Sequence, residues 1–476
     1  MKVIKNYLYN MGYQLLLMLV PLITVPYVSR VLGSYCSGIN SYTNSCVTFF
    51  YLLGQLGITL YGNREIAYYR NSKYKRSIVF WEIEFLQICT SLISLILYIF
   101  FVLFFCKRFK VFFALQSFWI VSTGLDISWY FMGMEDFKKT VTKNALVKII
   151  SIILIFLTVK NKNDLGKYIL LIGVAQMAGS VTLWPYLRNS VNLIRLKLLH
   201  PLRHFLPAVQ LFIPTITTQV YLVVNRLMLG QMSTQSALGE FDYSDKIVKL
   251  VLSVVTATGT VMLSHVANNY AKGKIDAVRS SLYNSFDFVS AIAMPMMFGL
   301  MAIAKQFAPW FLGNQYKLTG ILIIFEAPAI IFIAWSSVIG NQYLTPVNKV
   351  REFTLSVSAG ALTNVLANFI LIALFGAIGA AVATVISEIV TTSMQLHYIN
   401  KTISRRKLLR SSMYYLIDGL IMFVVVQFYS NKFSTNLINL SIEVCIGTFI
   451  YILFLLIFNA PILKQAKKLY KDYIEK

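Results

Sequence analysis

Long apolar stretches alternate with short polar segments along the whole chain, and no soluble domain fits between them. Each stretch holds the roughly 20 apolar residues that a helix needs to cross the hydrocarbon core of a bilayer. We therefore predict an all-α integral membrane protein with about fourteen spanning helices, near residues 8–29, 39–62, 78–105, 111–133, 141–159, 168–187, 208–230, 244–266, 284–304, 318–343, 353–375, 377–399, 412–430 and 437–460.

The first apolar stretch has a counterpart about 190 to 200 residues later. Pro21–Thr24 (P-L-I-T) opens a run that contains Arg30, and Pro214–Thr217 (P-T-I-T) opens a run that contains Arg226. In both places a glycine and then a G-x-x-x-Y string follow the arginine. Alternating-access transporters are commonly built from duplicated helical bundles with the substrate near the midplane. Six helices per repeat is an even number, so we predict a parallel, pseudo-two-fold repeat.

The repeat predicts the organisation of the domains. We expect a six-helix N-terminal lobe at 1–190, a basic cytoplasmic linker at 191–207, and a six-helix C-terminal lobe at 208–400. Two further spanning helices and a basic cytoplasmic tail would occupy 401–476. Within the linker, we expect Arg195–His204 to be a solvated basic loop.

Composition supports a membrane protein, because 57% of the residues are hydrophobic and only 13% are charged. A soluble domain carries about 25% charged residues. Most lysines and arginines fall in alternate polar segments, which places both termini in the cytoplasm by the positive-inside rule. This asymmetry accounts for most of the net charge of +24. Attraction of these basic residues to anionic headgroups is a sufficient role for the charge, so no nucleic-acid partner is implied.

Enzyme and metal-site motifs are not found in the sequence. The five cysteines form no C-x-x-C string, the four histidines form no H-E-x-x-H string, and no Walker-type glycine loop is present. We therefore predict no catalytic residue, no metal site and no cofactor. The outer segments of about a dozen residues are also too short to hold catalytic groups.

Two arginines inside predicted spans are the first candidates for a binding site. Arg30 and Arg226 lie at equivalent positions of the repeat, and two facing guanidinium groups would suit a diphosphate. The alternative is snorkelling, in which each arginine near a helix end reaches the headgroups.

Lysines inside predicted spans are further candidates. Lys246 and Lys249 follow Asp242 and Asp245 at four-residue spacing, so each aspartate can neutralise a lysine on one helical face. The alternative is a role in gating or ligand binding. For Lys148 we predict an interfacial anchor at the start of the fifth span.

Three acids inside predicted spans are candidates for coupling transport to a proton or a sodium ion: Asp126, Glu326 and Glu388. An intramembrane carboxylate points to function by default, although each of these could instead form a structural hydrogen bond or ion pair. Other acids lie near span ends, where we expect them to face water: Glu82, Glu84 and Asp418.

Prolines inside the predicted spans remove backbone hydrogen bonds and bend helices. We expect hinges or bends at Pro21, Pro26, Pro214 and Pro328. Bends in the first and seventh spans would suit two lobes that flex around a cavity, although prolines are also common in membrane helices.

Several strings resemble bacterial polysaccharide flippases (Wzx-type) of the multidrug/oligosaccharidyl-lipid/polysaccharide exporter superfamily. Together they cover roughly residues 5–400, and the quoted strings are Tyr13–Gly33, Tyr61–Ala67 (Y-G-N-R-E-I-A), Asp126–Tyr130 (D-I-S-W-Y) and Gly340–Pro346 (G-N-Q-Y-L-T-P). The S-R-V-L-G string at Ser29–Gly33 is also similar to lipid II flippases of that superfamily.

This resemblance implies two six-helix lobes with a V-shaped cavity between them, plus two further helices. It implies a substrate, an undecaprenyl-diphosphate-linked oligosaccharide, moved to the outer leaflet of a bacterial plasma membrane for capsule or exopolysaccharide assembly. It also implies cationic cavity residues, an ion gradient, and a polysaccharide polymerase and chain-length regulator as partners. Arg30 and Arg64 match the family strings, whereas Asn225-Arg226 stands where we expect an Asp-Lys pair in many relatives.

Three other functions are alternatives to this one. A lipid II flippase would share the chemistry of the diphosphate. A cation-coupled multidrug exporter would need an acidic cavity, and the two arginines argue against it. A membrane polysaccharide polymerase would need a large outer loop, which the sequence does not contain.

Overall fold

The computed structural model describes residues 2–188, 190–256, 266–400, 403–433, 436–463 and 465, without the side chains of 2–19, 137–138, 196, 213–215, 217–218 and 220–222. All regular elements in these ranges are helical, which confirms the predicted all-α fold. The chain divides into two compact units, Met1–Gly230 and Gln231–Lys476. The predicted lobe limits at 190 and 208 stay a prediction.

Helices α1 to α8 begin in the first unit: α1 Lys2–Gln55, α2 Ile58–Tyr68, α3 Lys73–Phe104, α4 Lys110–Thr123, α5 Ser128–Gly133, α6 Phe137–Thr158, α7 Leu165–Val181 and α8 Phe205–Met232. Between α7 and α8 the chain forms short 3-10 turns, the last of them at Pro201–His204.

Helix α1 is divided by Gly33. Its 54 residues would measure about 80 Å as a straight helix, far more than the roughly 30 Å of a hydrocarbon core. Gly33 adopts φ 78°, a left-handed conformation that glycine tolerates and other residues rarely do. The first predicted span and most of the second, as far as Gln55, are thus two helical stretches joined at this glycine, and the end of the second span lies in α2. Pro21 and Pro26 lie inside the stretch that precedes it.

A buried aromatic cluster holds α2, α3 and α5 of the first unit together. The rings of Phe80 and Trp129 stack with centroids 5.5 Å apart, and Tyr130 meets Phe80 edge-on at 5.3 Å. A Cβ atom at Gly62 would lie 2.5 Å from the Trp129 ring. Glycine is therefore required at this position, because α2 approaches the indole too closely for any side chain.

The second unit contains these further helices among the described residues: α9 Gln235–Thr256, α10 Ile275–Leu312, α11 Lys317–Glu326, α12 Ala329–Ser336, α13 Val350–Phe375, α14 Ala377–Ile399, α15 Arg405–Ser430 and α16 Leu437–Ile457. Residues 266–271, before α10, are also helical. A π-helix at Ser337–Leu344 extends α12. The predicted tenth span is bent by 48° between α11 and α12, and Pro328 lies in this break.

Among the described residues, ten helices, or eleven counting the bent pair, are long and apolar enough to cross a membrane. Large apolar side chains on their outer faces are exposed, as on α3 where Ile93 and Ile96 are 58% and 66% exposed. Such an apolar surface is favourable in contact with the lipid chains of a bilayer and unfavourable in water. The protein is a multi-pass membrane protein, but the predicted number of fourteen spans is not confirmed. Part of the predicted eighth span, 257–265, lies outside the described residues, as does the side chain of Pro214.

Candidate functional site

A cavity of about 460 Å³ lies inside the first unit, between α1, α4, α5, α6 and α7. Its wall contains one carboxylate, Asp126, and two lysines, Lys143 and Lys148. The Lys143 ammonium lies 3.7 Å from an Asp126 carboxylate oxygen. The cavity therefore contains an ion pair and a second basic side chain within the membrane-spanning part of the unit.

The break between α4 and α5 positions Asp126. The Ser128 amide donates a 3.1 Å hydrogen bond to the Asp126 carboxylate, which holds this side chain at the start of α5. The Gln87 side chain on α3 donates to the backbone carbonyl of Asp126 at 3.0 Å, and accepts a 2.9 Å hydrogen bond from the Trp129 indole. These hydrogen bonds fix the backbone of Asp126, whose side chain lines the cavity.

The position of Lys148 corrects a prediction. We expected an interfacial anchor at the start of a span, but Lys148 lies near the middle of α6 and lines the cavity, half-buried. Helix α6 begins four residues earlier than the predicted fifth span, at Phe137. This earlier start moves Lys148 away from the helix end.

The predicted arginines of the first unit lie on three different helices. Arg30 is exposed on α1, and Arg226 is half-buried on α8 beside the buried Asn225. Arg64 on α2 is 45% exposed, pairs with Glu65 at 3.3 Å, and lies over the ring of Tyr61 at 5.3 Å. Their role in binding a diphosphate stays a prediction.

Helix α9 carries both predicted lysine–aspartate pairs of the second unit. The Lys246 ammonium lies 2.6 Å from Asp242, and the Lys249 ammonium lies 2.7 Å from Asp245. The predicted pairing at four-residue spacing is confirmed. The lysines are 47% and 38% exposed while their partners are nearly buried, so each aspartate has a neutralising cation at the edge of the helix.

Glu326 and Glu388 belong to different helices of the second unit. Glu326, at the end of α11, is 1% exposed and accepts a 2.6 Å hydrogen bond from the Ser244 hydroxyl on α9. Glu388 on α14 is half-buried, next to the buried Ser387. Of the three predicted coupling acids, Glu326 has the most enclosed position.

The basic segment before α8 is exposed at Arg195, Lys197 and Arg203, as we predicted, but its end at His204 is buried. His204 is 4% exposed, and its Nε2 lies 2.9 Å from the carboxylate of Glu82 on α3. The same carboxylate accepts hydrogen bonds from the His200 amide, at 2.8 Å, and from the Arg203 guanidinium. Glu82 is itself fully buried, contrary to prediction, because this segment folds back over α3.

Two other acids that we expected to face water are also fully buried, Glu84 on α3 and Asp418 on α15. Neither carboxylate accepts a hydrogen bond from the part of the chain that the structure describes. Their positions near the predicted span ends did not indicate this burial, because the burial of a side chain depends on which face of its helix packs against a neighbouring helix.

Charged side chains lie buried among many apolar helices, and a polar cavity lies inside one helical unit, an arrangement that suits a membrane transporter. A family model described as "Polysaccharide biosynthesis protein" matches residues 3–264, and the chain belongs to this family. The resemblance to polysaccharide flippases is thereby confirmed.

Relatives and solved structures agree with this assignment. The chain is 25% identical over 389 residues to a protein of Escherichia coli (strain K12) named as an O-antigen transporter, covering 80% of this chain and 92% of that protein. It is 24% identical over 242 residues to a Haloferax volcanii protein named as a low-salt glycan biosynthesis flippase, covering 51% of each.

Two solved structures share the fold. The lipid II flippase MurJ, in an inward closed conformation, superposes with a TM-score of 0.78 at 17% identity, covering 96% of this chain and 100% of that one. An inward-facing multidrug resistance MATE family transporter superposes with a TM-score of 0.62 at 12% identity, covering 81% and 98%. The predicted MATE-like fold is confirmed.

Proposed function

We propose that this protein is a flippase for lipid-linked oligosaccharides. It moves undecaprenyl-diphosphate-linked repeat units from the inner to the outer leaflet of the bacterial cytoplasmic membrane, for capsule or exopolysaccharide assembly. Both termini lie in the cytoplasm, and a polysaccharide polymerase and a chain-length regulator act on the product.

One observation carries this proposal: the chain matches a named O-antigen transporter over 92% of that protein's length. The family match over residues 3–264 supports the same class of substrate. Intramembrane cations give a physical reason, since arginine and lysine are the side chains that bind phosphate oxygens. Arg30, Arg64 and Arg226 are the proposed contacts for the diphosphate, together with Lys246 and Lys249.

Transport is coupled to a proton or sodium gradient in this proposal. Glu326 is the leading acid, because it is almost fully enclosed, accepts a hydroxyl hydrogen bond from Ser244 and also interacts with Asp245. A carboxylate in such surroundings can hold a proton or a small cation. Asp126 and Glu388 are the other two candidates.

Complementation of a flippase-deficient bacterial strain tests the proposal. We expect the wild-type chain to restore surface polysaccharide, measured on gels of cell-envelope extracts. Direct transport is measured in proteoliposomes that contain a fluorescent polyprenyl-diphosphate disaccharide, by the fraction that a membrane-impermeant quencher reaches. A correctly inserted protein that neither restores polymer nor moves this lipid would refute the proposal.

A further inference from the structure

The cavity of the first unit presents three polar side chains, each of them half-buried. Lys148 and Asn144 project from α6, and Gln176 projects from α7. Within the described ranges, none of the three has a hydrogen-bond or ion-pair partner. By contrast, the hydroxyls of Thr24 and Ser151 on the same wall donate to backbone carbonyls of their own helices.

The charges on the cavity wall do not cancel. Asp126 is offset by Lys143 at 3.7 Å, so the Lys148 ammonium leaves an excess of one positive charge. A lysine in the middle of a membrane-spanning helix is unfavourable unless an anion or water satisfies it. The excess positive charge of this wall therefore favours a ligand group with one negative charge.

The size and polarity of the cavity limit the kind of chemical group that it can bind. A cavity of about 460 Å³ lies within the range of small-ligand pockets and can hold a sugar ring. Amide side chains such as those of Asn144 and Gln176 both donate and accept hydrogen bonds, which matches sugar hydroxyls. A diphosphate carries more charge and favours the planar fork of arginine, and arginine is not among the residues of this wall.

We propose that this cavity binds an acidic sugar residue of the lipid-linked oligosaccharide. Lys148 binds the sugar carboxylate, while Asn144 and Gln176 bind ring hydroxyls. The inference rests on the proposed flippase function and assigns a specificity site to it: the cavity selects repeat units that contain a uronic acid.

Two matched probes test this selection. Both are short-chain polyprenyl-diphosphate disaccharides, one ending in glucuronic acid and the other in glucose. Their binding is measured in phosphatidylcholine nanodiscs, whose headgroups carry no net charge. The wild-type protein is expected to bind the acidic probe about tenfold more tightly, as one favourable ion pair would give.

Substitution of the lysine should remove the preference without removing binding. Lys148→Met is expected to bind both probes equally, with affinity for the neutral probe within about twofold of the wild type. Lys148→Gln provides the same comparison if the methionine variant does not insert. Lys160→Met is the matched control, because Lys160 is exposed just beyond the end of α6 and does not line the cavity.

The possible failures are distinguishable. Equal binding of both probes by the wild type would overturn the acidic-sugar site, and so would a Lys148→Met variant that loses affinity for both probes equally. In either case, the proposed function stands if proteoliposomes flip the glucose-ended probe. If the wild type flips neither probe, the flippase function itself fails, and the inference with it.

Discussion

The Ser244 hydroxyl on α9 donates a 2.6 Å hydrogen bond to the Glu326 carboxylate at the end of α11. Glu326 is 1% exposed, and the helix bends by 48° immediately after it. The neighbour of Ser244, Asp245, is already paired with Lys249 at 2.7 Å. A change in the charge of Glu326 therefore acts on a hydrogen bond between two helices, beside a bend that contains Pro328.

Replacement of Glu326 by glutamine should uncouple transport from its ion. The amide keeps the size of the side chain but can neither exchange a proton nor hold a sodium ion as a carboxylate does. We expect the stimulation of flipping by a pH or sodium gradient to fall about tenfold, measured as initial rates in proteoliposomes. Glu388→Gln, measured in the same way, tests the other acid of this unit.

The control for this prediction is Asp276→Asn, because Asp276 is 97% exposed. Its gradient dependence should match that of the wild type. An unchanged ion profile in Glu326→Gln would assign Glu326 to structure alone and exclude it from coupling.

The ion pair between Asp126 and Lys143 should contribute to stability. Its atoms are 3.7 Å apart and the side chains are 21% and 9% exposed, so solvent screens the pair only in part. We expect a coupling energy of about 1 kcal/mol in a double-mutant cycle of Asp126→Asn and Lys143→Met. Thermal unfolding in detergent measures it, and strictly additive effects of the two substitutions would show that the pair contributes nothing.

Local sequence patterns predicted the features that depend on one helix. The pairs Asp242–Lys246 and Asp245–Lys249 follow from the four-residue spacing of a helical turn. The apolar stretches likewise predicted a helical membrane protein, because a bilayer requires long apolar helices. In contrast, the burial of Glu84 depends on which face of α3 meets its neighbours, and the amino-acid order of one helix does not contain this information.

Three of the family strings have a packing explanation that the sequence could not supply. Gly62 and Trp129 belong to different strings, and the structure places the indole where a Cβ atom of residue 62 would be, at 2.5 Å. Gly340 has the same relation to the Phe353 ring, at 2.4 Å. These glycines permit close helix packing, which is a tertiary property, so the strings alone indicated a family and not a contact.

His204 should make stability depend on pH. Burial lowers the pKa of His204, so the folded protein favours the neutral ring. In that form Nε2–H donates to Glu82, and Nδ1 accepts a 2.6 Å hydrogen bond from the Tyr61 hydroxyl. This contribution is fully present above the ordinary histidine pKa of about 6.5, and is lost as the pH falls through the lowered value.

The measurement is the thermal unfolding midpoint between pH 5 and 8, for the wild type and His204→Gln. The wild-type midpoint is expected to fall on the acidic side, and the variant should have a lower midpoint at neutral pH with a flatter profile. Replacement of the exposed His397 is the control. If the unfolding midpoint of His204→Gln changes with pH in parallel with that of the wild type, a group other than His204 causes the pH dependence.

Removal of Arg226 should abolish surface polysaccharide while the protein remains in the membrane. Arg226 is half-buried on α8, and its guanidinium is a proposed contact for the diphosphate. In the complemented strain we expect Arg226→Ala to lower the surface polymer at least about tenfold, and Arg226→Lys to recover part of it, since lysine keeps the charge but not the planar fork. Arg279→Ala is the matched control, because Arg279 is 44% exposed on α10 and pairs with Asp276 at 3.4 Å. Wild-type polymer from Arg226→Ala, at equal amounts of membrane protein, would remove Arg226 from the substrate site.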